Sequence, residues 1–341
     1  MANNQLPGKA DAFLLESGEG EHYSLGTFLA TIIARSEDTG GPMAGCILTG
    51  ANGSVMPLHS HRESHEAILL LEGQASLELG ERRYELAAGD YVSIPPGTPH
   101  GYVFNGHRTK FLTWTFGGNA NELYAAFGAP YQGTVYPEQG EMPDWKRKQE
   151  RLDVVFAPPR KPPAGPPSAK ETLPPPEMRP YVLAAGEGER MIDGDQFYIF
   201  LTDQRQSGGK FIALLTEGPK GDPIPKHFHE KHTETFFCIE GSMSMFAGDH
   251  YEKLHRGDFL NVPPGTVHSF QLTGHNTRFI GFLAPGLFEP FFRYLCDPYE
   301  GYVYPLVPRA HRFDRVIQHL AELDLKLLEQ PSGPGPDGGG R

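Results

Sequence analysis

One half of this chain repeats the other, and that duplication constrains the fold more than any other feature. Gly53, His59, His61, Glu66 and Gly73, followed by Gly89, Pro95, Gly97 and His100, recur as Gly221, His227, His229, Glu234 and Gly241, followed by Gly257, Pro263, Gly265 and His268. Every corresponding pair is separated by 168 residues. The same offset relates flanking segments. Phe13 to Glu21 aligns with Tyr181 to Glu189, His107 to Phe111 with His275 to Phe279, and the Tyr136-Pro137 pair with Tyr304-Pro305. Recurrence over such lengths indicates duplication of a whole domain rather than of a short motif.

At 341 residues the chain exceeds the size at which one core keeps growing, so two domains of roughly 150 residues are expected. The repeats place them at 11–145 and 181–330. Between them, 146–180 is read as a linker, because Pro158 to Pro180 contains ten prolines. The Gly/Pro-rich tail, 331–341, is expected to be disordered. A formal net charge of −12 argues against a phosphate-backbone partner, so no nucleic-acid ligand is expected. No run of about 18 apolar residues is present, and the first residues lack the basic and apolar parts of a secretory signal. The expectation is a cytoplasmic protein without membrane contact. Cys46, Cys238 and Cys296 have neither redox nor metal-ligand spacing and read as small buried hydrophobes.

Short runs rich in Val, Ile, Leu, Phe and Tyr, separated by Gly, Pro and Asp turns about every ten residues, predict antiparallel strands in a closed or sandwiched sheet. Ala67–Leu71, Gln74–Leu79 and Tyr91–Ile94 are examples. Pro96-Gly97 and Pro264-Gly265 fit type II turns, with proline presetting the first central residue and glycine supplying the positive φ of the second. Short helices are expected at Asn121–Phe127 and Glu289–Leu295, and an amphipathic helix from Phe313 to Leu328.

Side chains two apart on a strand point the same way, so His59 and His61 can reach one ion. Glu66 follows after a short loop and His100 arrives from a distant strand, giving three imidazoles and one carboxylate. His227, His229, Glu234 and His268 repeat the set. Such a donor set suits a divalent first-row metal with open positions, one per domain. If His100 faces inward, so do Tyr102 and Phe104; Ile68 and Leu70 share the parity of Glu66. Their second-half counterparts include Phe236 and Phe270, and together these six residues are candidate walls for an aromatic ligand. His65 and His232 lie in the metal loops without being repeat-equivalent and read as solvated loop residues rather than as supports of the ligands.

With these residues in hand, the chain resembles the cupin superfamily. Both halves satisfy its two motifs: Gly, five residues, His-X-His, Glu and Gly; then Gly, five residues, Pro-X-Gly, two residues and His. Where that second motif often ends in Asn, Phe104 and Leu272 stand here. The resemblance implies an all-β fold of two tandem jelly-roll β-barrels with a few short helices, a bicupin. His59-Ser-His-Arg-Glu-Ser-His-Glu66, Gly218 to Asp222, His232 to Phe236, Gly257 to Pro263 and Pro285 to Arg293 further resemble the bacterial bicupin quercetin 2,3-dioxygenases.

That closer resemblance implies a dioxygenase acting on a flavonol and O2. The flavonol binds the metal through its 3-oxygen, dioxygen adds across C2 and C4, and the heterocyclic ring opens with release of carbon monoxide and a depside. Glu66 and Glu234 are then the candidates to accept the 3-hydroxyl proton. Fe(II) is the first expectation for the metal, with Mn, Co, Ni or Cu as alternatives. Two other functions remain open: a decarboxylase or oxidase of small dicarboxylates such as oxalate, and a ligand-binding cupin without catalysis. The former needs a cation beside the metal, and Arg62 and Lys226, the nearest in sequence, lie off the inward parity. A homodimer is compatible with the resemblance, since bicupins occur as single chains or as symmetric pairs.

Overall fold

A computed structural model describes residues 6–41, 43–145, 151–158, 160–161 and 163–328. The expected tail at 331–341 lies outside these residues. The chain forms two β-barrels, each built from an eight-stranded and a five-stranded antiparallel sheet. In the N-terminal barrel the five-stranded sheet runs Val155–Phe156, Val55–Ser60, His100–Phe104, Gln74–Leu79 and Arg82–Ala87. Its C-terminal counterpart runs Lys326–Leu327, His227–Phe228, His268–Leu272, Ser242–Ala247 and His250–His255. The expected all-β jelly rolls are present, and the strand expected over Ala67–Leu71 extends over His65–Glu72.

Central strands of the eight-stranded sheets are buried on both faces, because one face lines a barrel and the other meets the second barrel. Thr109–Phe116 illustrates this. Phe111, Thr113 and Thr115 point into the N-terminal barrel, whereas Trp114 packs on Phe259 and Phe282 at 5.6 and 5.5 Å. Phe116 stacks on Phe211 at 3.7 Å with the rings 7° from parallel. The barrels thereby share one continuous apolar core.

The boundaries drawn from sequence follow the chain, whereas the sheets exchange their first strands. Phe13–Leu15 pairs with Phe259–Val262 of the C-terminal barrel, and Tyr181–Leu183 pairs with Tyr91–Ile94 of the N-terminal barrel. Both exchanges are fixed alike. Asp258 accepts from the Ser17 amide at 2.9 Å, and Asp90 accepts from the Ala185 amide at 3.0 Å.

Two sequence expectations need correction. The segment 146–180 is not all linker: Leu152, Asp153 and Val154 are buried, and Val155–Phe156 adds a strand alongside Ser60 and His59. A short apolar stretch beside an open sheet edge gains more by pairing than by remaining extended in water. The helix expected over Phe313–Leu328 ends at Gln318; a 3-10 turn follows at Leu320–Glu322, and Lys326–Leu327 is a strand on His227–Phe228. Here too a free sheet edge wins over helical periodicity, and it leaves Ile317 half exposed. The other two helices form at Glu122–Phe127 and Glu289–Leu295, as expected.

Candidate metal centres

Each cage starts from a strand and a turn. His59 lies on Val55–Ser60, with His61 just beyond its end, and Glu66 lies near the start of His65–Glu72. His100 opens its own strand, opposite His59 in register. The turn before it places Gly97 at φ 78°, and the Gly97 amide donates to the His61 carbonyl at 2.6 Å, which docks the second motif on the first. Gly265 repeats this at φ 81° with the His229 carbonyl, also at 2.6 Å. Glycine is needed because other residues rarely adopt that φ.

Potential ligand atoms of His59, His61, Glu66 and His100 lie within 4.8 Å of one another, as do those of His227, His229, Glu234 and His268. These are two metal-binding sites. Every ligand histidine turns its Nδ1 to a backbone carbonyl. In the N-terminal barrel the acceptors are Pro57, Asp153 and Thr98 at 2.8, 2.7 and 2.9 Å. In the C-terminal barrel they are Pro225, Asp324 and Thr266 at 2.9, 2.6 and 3.0 Å. A carbonyl can only accept, so Nδ1 carries the proton and Nε2 turns its lone pair into the cage.

The donors therefore face one another as electron-pair donors. Glu66 Oε2 lies 2.9 Å from His100 Nε2 and 3.4 Å from His61 Nε2; Glu234 Oε2 lies 3.2 and 3.5 Å from His268 and His229. Nε2 of His229 is buried and has no hydrogen-bond partner among the described residues. A cation resolves both features, so the residues fit a bound metal. Burial and then the neighbouring imidazoles lower His227 to about 3, which keeps it in the neutral, ligating form. Burial opposes ionisation of Glu66 and Glu234, but the close approach of His61 and His100, and of His229 and His268, outweighs it and holds both carboxyls well below the usual carboxylate range.

Asp153 and Asp324 were not found from sequence, yet each organises a cage. The Asp153 carboxylate accepts from the amides of Arg62, Glu63 and Ser64, and its carbonyl fixes His61. Asp324 accepts from the amides of Glu230 and Lys231 and from His232, and its carbonyl fixes His229. Burial disfavours the charge on both, and these hydrogen bonds outweigh it, holding both below the ordinary aspartate value. The available signal was Leu152-Asp153-Val154 against Leu323-Asp324-Leu325, shared at an offset of 171 rather than 168.

His65 and His232 are not solvated loop residues. His65 is buried, bonded to Ser93 Oγ at 2.8 Å and edge-on to Phe211 at 5.0 Å. His232 is buried against His229, with ring centroids 4.0 Å apart, and burial lowers it to about 4 against the opposing pull of Asp324. It supports a ligand histidine rather than the ligand carboxylate.

A cavity of about 550 Å³ opens on the C-terminal cage. His227, Glu234, His268 and Gly281 form its base, and Tyr198, Phe236, Phe270, Phe279, Phe288 and Phe292 stand among its walls. Of the wall candidates read by parity, Phe236 and Phe270 lie here, while Ile68, Leu70, Tyr102 and Phe104 are buried in the packing of the N-terminal barrel. Tyr198, Phe279, Gly281 and the phenylalanines of the Phe288–Phe292 segment were missed, because parity reports a face and not whether that face borders empty space. Arg62 and Lys226 are exposed; Arg62 donates to the Leu152 carbonyl, and the Lys226 ammonium sits over the Phe246 ring. Neither enters the cavity lining.

Fold and site together define a bicupin with a His3Glu metal-binding site in each barrel. The cupin-domain family model matches residues 47–116 and 214–280. Quercetin 2,3-dioxygenase of Bacillus subtilis strain 168 is 43% identical over 333 residues, covering 96% of this chain and 99% of that protein. Quercetin 2,3-dioxygenase of Aspergillus japonicus is 34% identical over 129 residues, 36% of this chain and 37% of its own. Oxalate decarboxylase of Bacillus subtilis superposes with a TM-score of 0.52 at 14% identity, over 84% of this chain and 79% of that one, a likeness of fold alone. The chain belongs to the quercetin 2,3-dioxygenase family of bicupins and is an oxidoreductase of that type. Among the described residues no helix is long and apolar enough to cross a membrane.

Proposed function

We propose that the protein cleaves the heterocyclic ring of a flavonol such as quercetin with O2, releasing carbon monoxide and a depside. The observation that carries this reading is the aromatic-walled cavity whose base is a His3Glu cage. A flat polyphenol can stack on Phe236, Phe270 and Phe279, while Gln196, Thr216 and Asp222 offer hydrogen-bond partners to its hydroxyls. Asp193, Asp195, Asp222 and Glu234 are acidic, and among the described residues no Lys or Arg lines the space. A small dianion such as oxalate would find no countercharge from a side chain there, so the decarboxylase alternative is disfavoured.

Fe(II) is the proposed ion, with Mn, Co, Ni or Cu able to occupy the same donor set. When bound, it supplies Lewis-acid polarisation that lowers the pKa of the 3-hydroxyl. Glu234 accepts that proton on a carboxylate oxygen, and Glu66 is its counterpart in the other barrel. The aromatic walls hold the ring plane and exclude water, so that the enolate and O2 meet in a fixed orientation. The test is quercetin added to metal-loaded protein without air, then with air. The expected result is a shifted visible band that bleaches with stoichiometric carbon monoxide; carbon dioxide from oxalate, with quercetin untouched, would refute the proposal.

A further inference from the structure

We infer that flavonol binding and turnover belong to the C-terminal barrel alone, and that the N-terminal cage is a closed metal site. The inference rests on the flavonol reading above and concerns what stands inside each barrel. Its strongest support is one residue on equivalent strands. Thr113 donates its hydroxyl to Glu66 Oε1 at 2.6 Å, while Oε2 faces His100 and His61, so both oxygens of this carboxylate are engaged. Gly281 stands at the repeat-equivalent position, and among the described residues no hydroxyl replaces that of Thr113. The Glu234 side chain is 12% exposed where that of Glu66 is 4% exposed, and it lines the cavity.

The space in front of the cages differs in the same sense. In the N-terminal barrel Phe28, Tyr102, Phe104 and Phe111 pack on one another, with centroids 4.8 to 6.4 Å apart, and all four are buried. Gln196 and Leu272 replace Phe28 and Phe104 in the C-terminal barrel, removing two rings from the centre. Some substitutions enlarge residues there, Tyr198 for Ala30 and Phe236 for Ile68, but those rings border the cavity instead of filling it. Outside the N-terminal cage, the Phe156 ring lies 5.6 Å from that of His59 and is flanked by Trp145 and Phe127 at 5.1 and 5.7 Å. Leu327 and Leu295 occupy the corresponding places and line the open space.

A carboxylate that ligates through one oxygen and accepts the Thr113 hydroxyl on the other is fixed in orientation and already satisfied at its free oxygen, so it is a weaker acceptor for an incoming hydroxyl than one whose free oxygen has no donor. A proton acceptor must also come within hydrogen-bond reach of the proton it takes, which requires room for the substrate. Only Glu234 meets both conditions. Glu66 is thereby assigned to metal binding, and Gly281 becomes the residue that opens the working site.

The test is anaerobic titration of zinc-loaded protein with quercetin, followed by calorimetry and by the flavonol's visible band. Zinc has no redox chemistry, so binding is read without turnover. With two zinc ions per chain by elemental analysis, one quercetin per chain is expected. Gly281→Thr is expected to keep both ions and weaken binding by about tenfold or more, as overfilling a formed pocket does. Gly281→Ala, whose Cβ would lie 3.2 Å from the Thr235 carbonyl, is expected to show a smaller loss and stands in should the threonine variant not fold. Two quercetins per chain would overturn the inference, as would Gly281→Thr protein holding two ions with unchanged affinity. Protein that holds two ions and binds no quercetin would instead overturn the flavonol reading itself, and the inference with it.

Discussion

The two barrels build the same cage and surround it differently. Ligand histidines, carbonyl acceptors and docking turns correspond one for one, but Thr113 and four packed rings close one interior where Gly281 and a cavity of about 550 Å³ open the other. Duplication conserves a metal site because its ligands come from local motifs. A substrate site depends in addition on the summed volumes of many scattered side chains, and a few substitutions suffice to remove it.

The largest effect that can break this comparison is on turnover. Glu234→Gln is expected to lower quercetin cleavage by about 10²–10⁴-fold, the usual contribution of a positioned base, and Glu66→Gln by much less. Equal losses in steady-state carbon monoxide release would contradict the assignment. Packing gives the next contrast. Phe104→Ala should cost about 3–5 kcal/mol in denaturant unfolding, because all sides of that ring are packed. Phe270→Ala removes a ring that already borders open space and should cost less than half as much.

A smaller effect concerns the loops behind the ligands. Asp153→Ala or Asp324→Ala should weaken metal binding about 10–100-fold in its own barrel and leave the other unchanged, as measured by chelator competition. Asp324→Ala also releases His232, so the C-terminal site should lose more. The smallest expected effect is at the exchanged strands. Asp90→Ala and Asp258→Ala should each lower stability by about 1 kcal/mol, the cost of leaving part-buried amides unpaired. Asp90 should cost more, since it also pairs with Lys170 and is more deeply buried.

The cages were legible in the sequence because their geometry is local. His59 and His61 share a face by strand alternation, and the Pro-X-Gly turn that docks His100 is written in consecutive residues. Asp153 and Asp324 were not legible at the same offset, since the repeat slips by three residues before them and a strict 168-residue comparison pairs Asp153 with Ala321. The exchange of Phe13–Leu15 and Tyr181–Leu183 was hidden for a different reason: duplicated strands fit either barrel equally well by pattern. Parity placed Tyr102 and Phe104 inside the N-terminal barrel correctly but could not show that Phe28 and Phe111 fill the space they face. Likewise the apolar steps from Phe313 to Leu328 describe a helix only while no sheet edge competes, and His227–Phe228 supplies one.

The most direct test is a crystal structure of metal-loaded protein soaked with a flavonol under anaerobic conditions. The account predicts an ion in both cages and flavonol density only in the C-terminal barrel, its 3-oxygen toward the cage of His227, His229, Glu234 and His268 and its rings against Phe236, Phe270 and Phe279. Flavonol density beside Glu66, with the rings of Phe28 and Phe104 displaced to admit it, would contradict the account.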